Sequence, residues 1–371
     1  MQPLGPGDGG SVVAEVRGIL AGLGLLKNPA GAAAETFDAD TELAVRHFQQ
    51  RRGLSVDGRV NPETYAALIA ARWRLGDRVV QYTPATPQVG DDVFALQVRL
   101  LELGYDLGRP DHIFGRSSEK ALRAFQREIG LQADGICGPA TLRALKQLGP
   151  RVVGGRPQQL RDMVAVATAG PKLLGKRIVI DPGHGGDSLG ICYGSVTESE
   201  LVWDVATRLE GRLQPLGVKS FLTRGPGTNA TEQRRAEFAN EVDADLVLSL
   251  HLDTHRSPLA NGVAAYYYGT PESVSWTGER LADLALREIV ARTEMLNTRT
   301  HAKTWTLLRL TRMPAVRIEL GYLSSPVDRS RLTDPTFRDT VAEGLLIAIQ
   351  RLYLPEDSDP PTGVMHIPAA G

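Results

Sequence analysis

The chain is poor in cysteine, with two in 371 residues, Cys137 and Cys192. Two are too few for a disulfide framework. They fall in regions read below as different domains, so free thiols in a reducing compartment are expected. There is no surplus of charge of either sign: Lys+Arg number 42 and Asp+Glu 43, a formal net charge of −1. A binder of nucleic acid or anionic membrane would carry a basic excess, so no nucleic-acid partner is expected. Long apolar runs are missing too, and nothing approaches the ~20 apolar residues of a membrane span. The opening residues, MQPLGPGDGG, have no Lys or Arg before Arg17 and no apolar core of a secretory signal. As written, that start predicts a cytoplasmic localisation. What the chain does have is 42% hydrophobic residues, enough for true cores. Its length allows two or three domains at roughly 100–200 residues each.

An internal repeat organises the first half. Phe37–Leu68 and Phe114–Leu145 align without a gap, and 14 of the 32 paired positions are identical. Upstream, VRGILAGLG (16–24) parallels QVRLLELG (97–104). In each copy an apolar helical pattern, carried in the first by Leu43, Ala44, Val45 and Phe48, is followed by an Asp-Gly turn signal and a Pro suited to a helix's first turn. Two all-α modules of three helices each are expected, over 9–75 and 88–148. The shared FG…T…A…FQ…GL..DG..G..T…L string resembles the type 1 peptidoglycan-binding domain, and copy two carries it more fully than copy one. That resemblance implies binding of glycan or stem-peptide material; the plain alternative is a helical spacer.

Residues 149–175, rich in Gly, Pro and Arg at the start, read as a linker, with a short helix expected in RDMVAVATA. Residues 355–371, acidic and then Pro-rich, read as a disordered tail. Thr362 lies in that tail after acidic residues and two prolines, and is a candidate for phosphorylation.

Between them, 176–354 alternates strand and helix. Strands are expected at Lys176–Asp181, Val218–Thr223, Asp245–Leu250, Gly262–Tyr268 and Ala315–Leu320. Helices are expected at Glu200–Leu213, Arg234–Asn240, Glu279–Arg292 and Phe337–Leu352. This order argues an α/β domain with a mostly parallel central sheet. His184 follows the first strand in DPGHGG, and His251 follows a central strand in SLHLDTH. Both should therefore reach the carboxyl edge of the sheet. Glu198 lies just before the next helix, and Glu319 ends the AVRIEL strand. Two His and one Glu form a zinc-type set with an open position for water, and a second Glu can act as general base. Taken singly, each of these residues is more often structural.

The ordered string DPGHGG, a Glu before a helix, LTR (222–224), EQRRAEFAN, DLVLSLH, GVAAYYY and PAVRIELGYLSSPVD resembles the type 3 zinc N-acetylmuramoyl-L-alanine amidases across about 180 residues. The resemblance implies zinc held by His184, Glu198 and His251, with Glu319 the catalytic glutamate. It also implies cleavage of the amide between muramic acid and the stem L-alanine, in peptidoglycan or its muramyl-peptide precursors. Glu200 is the competing ligand, while Cys192 and His255 read as structural. Asp253 and Ser325 stand where that family usually has Asn, and Arg317 where it usually has an aliphatic residue.

In a strand, residues two apart share a face, so Arg317 should lie beside Glu319. There it would hold the base ionised, lower its pKa and tie it in a salt bridge, as a site-modulating residue. The alternative is that it turns to solvent or pairs elsewhere. Two modules, a leaderless start and an amidase domain together are similar to a group of mycobacterial proteins of this family. That similarity implies a cytoplasmic regulator, controlled by a Ser/Thr kinase, that stimulates MurA, the first committed enzyme of precursor synthesis, with weak or no hydrolysis. The other function class is an active cell-wall amidase.

Overall fold

A computed structural model describes residues 2–27, 35–108, 110–148, 166, 170, 172–270 and 274–354. The expected tail, Thr362 and nearly all of the expected linker and its short helix lie outside the described residues. The chain forms two compact units, Met1–Leu160 and Arg161–Gly371. Cys137 is buried in the first, Cys192 is exposed in the second, and both are free. Among the described residues no helix is long and apolar enough to cross a membrane.

Among its described residues the first unit holds six helices in two sets of three: α1 (Ser11–Gly22), α2 (Ala39–Arg52) and α3 (Pro62–Ala71), then α4 (Asp91–Glu102), α5 (Arg116–Glu128) and α6 (Pro139–Gln147). The repeated positions explain themselves physically. Buried Gln49 donates to Asp57 Oδ1, the Arg59 carbonyl and Thr64 Oγ1, and accepts from the Gly58 N–H. Gln126 makes the same four bonds to Asp134, Ile136, Thr141 and Gly135. The two glycines sit at φ 75° and 72°, in the left-handed region that favours glycine. Glu42–Arg46 and Glu119–Arg123 are matching i,i+4 ion pairs at 2.8 Å.

The two copies differ at one buried polar node. In the second, Gln97 bonds Asp111, the Ile113 carbonyl and Ser118. In the first, Arg17 takes that place, bonding the Thr36 carbonyl, Asp38 and Thr41. Leu43 departs from the sequence reading: it is 54% exposed, and the buried face of α2 is Thr41, Ala44, Val45, Phe48 and Gln49. Its counterpart in α5 is Lys120, as expected of a solvent-facing position.

The second unit is built on a six-stranded sheet in the order β4-β1-β5-β8-β6-β7. The strands are β1 (Arg177–Pro182), β4 (Lys219–Leu222), β5 (Leu246–Asp253), β6 (Val263–Tyr268), β7 (Asn297–Lys303) and β8 (Ala315–Tyr322). Only the β6–β8 pairing is antiparallel. A small hairpin of β2 (Cys192–Tyr193) and β3 (Val196–Thr197) precedes helix α7 (Glu198–Leu213). The other α-helices of this unit among the described residues of 172–354 are α8 (Glu232–Glu241), α9 (Trp276–Thr293), α10 (Thr306–Leu310), α11 (Pro326–Thr333) and α12 (Pro335–Leu352).

Alternation along the strands splits the sheet into two faces. Ile178, Leu248, Leu250, Ala265, Val316 and Ile318 join one core with residues of α7, α9 and α12. Val179, Val247, Tyr268 and Ala315 join another with residues of α8 and α10. On that second face the amino half is apolar and the carboxyl half is polar: Asp181, Ser249, His251, Arg317 and Glu319. The two-sided burial, with helices on both faces, is the architecture expected of near-continuous apolar strands.

Several boundaries differ from the sequence reading. Thr197 caps α7 by accepting from the Glu200 N–H, so the helix begins at Glu198, which is in its first turn and not in a loop before it. β5 runs on to Asp253, so His251 lies inside a strand and not after it. β7, α10, α11 and the β2–β3 hairpin had no counterpart in the sequence reading.

Candidate metal and amidase site

Strand register brings the site together. His251 and Glu319 are direct neighbours on β5 and β8, and Ser249 and Arg317 are neighbours one pleat behind. His184 arrives on the turn after β1 with a positive φ of 55°. Glu198 arrives on the first turn of α7, 1% exposed. One donor atom from each of His184, Glu198 and His251 can be chosen such that all lie within 4.8 Å of one another. Glu198 Oε1 accepts from the Leu252 N–H at 3.1 Å and lies 2.9 Å from His251 Nδ1. Its Oε2 accepts from the Ile191 N–H at 3.0 Å and lies 3.4 Å from His184 Nε2.

Two glycines make room for this. A Cβ on Gly183 would lie 2.3 Å from the His251 ring, and one on Gly190, at φ 69°, would lie 2.5 Å from Glu198 Oε2. An open cleft of about 430 Å³ is lined by His184 and Glu198 of the cluster, with Glu319, Arg317 and Asp253 also on its wall. Glu200 is not part of it: its side chain is exposed and accepts from Thr197 Oγ1. His255 and Cys192 also stay outside the cluster. His255 Nδ1 accepts from the Ser257 N–H, and the Cys192 thiol faces the Gly190 carbonyl.

Burial opposes ionisation of Glu198, but its bond to His251, the neighbouring imidazoles and the Ile191 N–H hold it well below the usual carboxylate range. Burial, with the Arg317 charge, pushes His251 down, so its ring is neutral and available as a ligand at pH 7. Arg317 turns to Glu319, as one of the two sequence readings had it: Nε and Nη2 both lie 2.8 Å from Oε1. It also reaches Glu232 Oε1 at 3.4 Å and packs 4.6 Å from the Trp305 ring centre.

The expected direction of the Glu319 pKa is corrected by the structure. Burial pushes it up to about 7, helped by the negative charges of Glu198 and Asp253, and Arg317 only limits the rise. Glu319 Oε2 is buried and without a hydrogen-bond partner.

Sequence reasoning assigned no role to the supports of the His184 turn, although LTR and EQRR contain them. Arg224 donates to the carbonyls of Pro182, Gly183 and Ser199. Arg235 donates to those of Pro182 and His184, and pairs with buried Asp181 at 2.6 Å. Asp181 also accepts from Thr223 and Ser249. Ser188 Oγ lies 2.9 Å from His184 Nδ1 and orients that ring. A larger groove, about 760 Å³, runs along α1 of the first module, lined in part by Glu15, Arg72, Arg74 and Asp77. Among the described residues no metal-type donor set is found there.

A family profile for N-acetylmuramoyl-L-alanine amidases matches residues 178–351, and one for peptidoglycan binding domains matches residues 9–68 and 89–145. N-acetylmuramoyl-L-alanine amidase CwlM of Mycobacterium tuberculosis is 46% identical over 369 residues, covering 96% of this chain and 91% of that one. The germination-specific N-acetylmuramoyl-L-alanine amidase of Bacillus subtilis is 31% identical over 203 residues, covering 51% of this chain and 84% of that one. Among solved structures, the amidase AmiC2 of Nostoc punctiforme matches with a TM-score of 0.44 at 29% identity, covering 47% of this chain and 94% of that one. With this site on this fold, and with a relative alike over nearly its whole length, the chain belongs to the N-acetylmuramoyl-L-alanine amidase family and carries peptidoglycan binding domains ahead of its amidase domain.

Proposed function

We propose that the protein recognises the amide between muramic acid and L-alanine in muramyl peptides at a zinc centre of His184, Glu198 and His251, and that Arg317 keeps its turnover low. The observation that carries the reading is the double contact of Arg317 with one oxygen of Glu319, on the wall of the cleft that His184 and Glu198 also line. Two imidazole nitrogens and a carboxylate oxygen suit zinc and leave one position open. Zinc bound there supplies a Lewis acid for the amide carbonyl and makes water more acidic.

The chain's own residues supply the rest. Glu319 takes the proton of the attacking water and returns it to the departing amine of L-alanine. Asp181, Arg224, Arg235 and Ser188 hold the His184 turn in place. Arg317 withholds one oxygen of the base.

In the same proposal the protein works in the cytoplasm as a kinase-controlled regulator of precursor synthesis, with MurA as its partner and Thr362 as the modified residue. The likeness to CwlM over 96% of the chain supports treating the two proteins as alike in role. The test is to load the full chain with zinc and measure release of the peptide from a muramyl peptide, beside stimulation of purified MurA by the phosphorylated and Thr362→Ala forms. Slow hydrolysis with phosphorylation-dependent stimulation is expected. Rapid hydrolysis with no effect on MurA would turn the reading to the active cell-wall amidase.

A further inference from the structure

The chain is nearly neutral overall, yet its charge is unevenly placed. Between Glu294 and Glu319 there is no acidic residue in 24 positions, while Arg299, Lys303, Arg309, Arg312 and Arg317 are all basic and His301 lies among them. This stretch forms the edge strand β7, the short helix α10 and the first half of β8.

The register carries the basic side chains away from the cleft in a line. Arg317 pairs with Tyr266 on β6, and Tyr266 pairs with His301 on β7. The Tyr266 ring lies 5.5 Å from His301 and 4.6 Å from Trp305. Trp305 in turn lies under Arg317 at 4.6 Å and near Lys303 at 5.8 Å. His301 and Arg299 are exposed. Glu319 and Glu232 are both ion-paired to Arg317, at 2.8 and 3.4 Å. The cleft wall carries Glu198, Asp253 and Glu319 beside Arg317, so an anionic group is drawn to the cationic side chains that β7 presents beyond that wall.

We infer that this cationic and aromatic strip is a subsite for a diphosphate attached to the sugar of the muramyl peptide. The inference rests on the reading of the cleft as a muramyl-peptide site, and it names the activated precursor, not the polymer, as the ligand. Two strand spacings of roughly 4.8 Å separate β8 from β7, so the backbone at His301 stands about 10 Å across the sheet from that at Arg317, and Glu319 lies two residues further along β8. A sugar held by its lactyl amide at Glu319 can set the far side of its ring, where the phosphate is attached, over the strip. Arg and Lys both bind phosphate by charge-assisted hydrogen bonds, and the half-buried Trp305 keeps Arg317 and Lys303 in place by cation–π contact. Nucleotide-linked and lipid-linked muramyl peptides share this diphosphate.

The test compares the zinc-loaded full chain binding three probes: unphosphorylated muramyl pentapeptide, the nucleotide diphosphate-linked form, and the lipid diphosphate-linked form in detergent micelles. The nucleotide alone is the control. At least one diphosphate-linked form is expected to bind tenfold or more tightly than the unphosphorylated peptide, and which one does so identifies the source. In the Arg299→Gln/Lys303→Gln double variant that advantage should fall to about threefold or less, with the unphosphorylated peptide bound as in the parent. Equal binding of all three muramyl peptides, or an advantage that survives the double variant, overturns the inference and leaves the muramyl-peptide reading standing. An affinity matched by the nucleotide alone overturns it as well. Failure of every muramyl peptide to bind would remove the underlying reading and this inference with it.

Discussion

Replacing Arg317 by Leu removes the two 2.8 Å contacts to Glu319 Oε1 and takes away a charge that helps hold His251 neutral, while keeping all three ligand side chains. Hydrogen bonds to a charged group contribute about 1.5–3 kcal/mol. Two unit charges about 4 Å apart at an effective dielectric constant near 20 interact by about 4 kcal/mol. Arg317 is 20% exposed at its side chain, so the lower range applies. If that energy holds the base back from the reacting water, its removal raises kcat by roughly 10- to 100-fold, with KM little changed.

The sign with pH is fixed by the same contact. Glu319 works as a base only when ionised, so the parent's rate should rise with pH through about 7. Arg317 holds that pKa down, so in the variant the rise moves to higher pH. The gain is therefore read at about pH 9, where both forms are ionised. The assay is release of the peptide from a muramyl peptide by zinc-loaded protein across that pH range. Arg317→Gln, which keeps a neutral donor, should show a smaller gain. If neither variant is faster than the parent at any pH while zinc content is unchanged, the braking role of Arg317 is refuted.

Three further outcomes are expected. His251→Ala should lose bound zinc; metal analysis showing one zinc per chain in that variant would remove the ligand assignment. Arg235→Met strands the buried Asp181 carboxylate and frees the His184 carbonyl, so unfolding should show the second unit destabilised by about 3–5 kcal/mol. A change under 1 kcal/mol would mean that Asp181 is held without it. Asp91→Asn should weaken the first unit by about 2 kcal/mol at pH 7, because the carboxyl is held near 2 against its ordinary 3.8: burial raises it, and His112 and Arg52 outweigh that. A depressed folded pKa stabilises above the unfolded value and is lost as pH falls through the folded one. The parent–variant difference should therefore fade between about pH 4 and pH 2 in denaturant titrations. A difference that persists at pH 2 would point to packing instead.

What the sequence determined by itself was whatever local periodicity and spacing encode. The 77-residue offset repeat announced two like modules, because Gln49 and Gln126, the Asp-Gly turns and the i,i+4 ion pairs all act within one module. DPGHGG, Glu198, His251 and Glu319 were legible as a candidate site because each sits toward the carboxyl end of a strand or at the start of a helix, the edge of the sheet where this architecture gathers its site residues. Leu43 was misread because a single apolar residue on α2 does not say which side of the helix the neighbours cover.

The edge strand β7 was invisible, since NTRTHAK is polar and mostly exposed and shows no apolar alternation. Tertiary structure alone decided where Arg317 points, since its partners Glu319, Glu232 and Trp305 come from three segments of the chain. It also reversed the expected pKa of Glu319. The sequence shows the cation two residues away, but the desolvation that outweighs it comes from the strands and helices packed around the carboxylate.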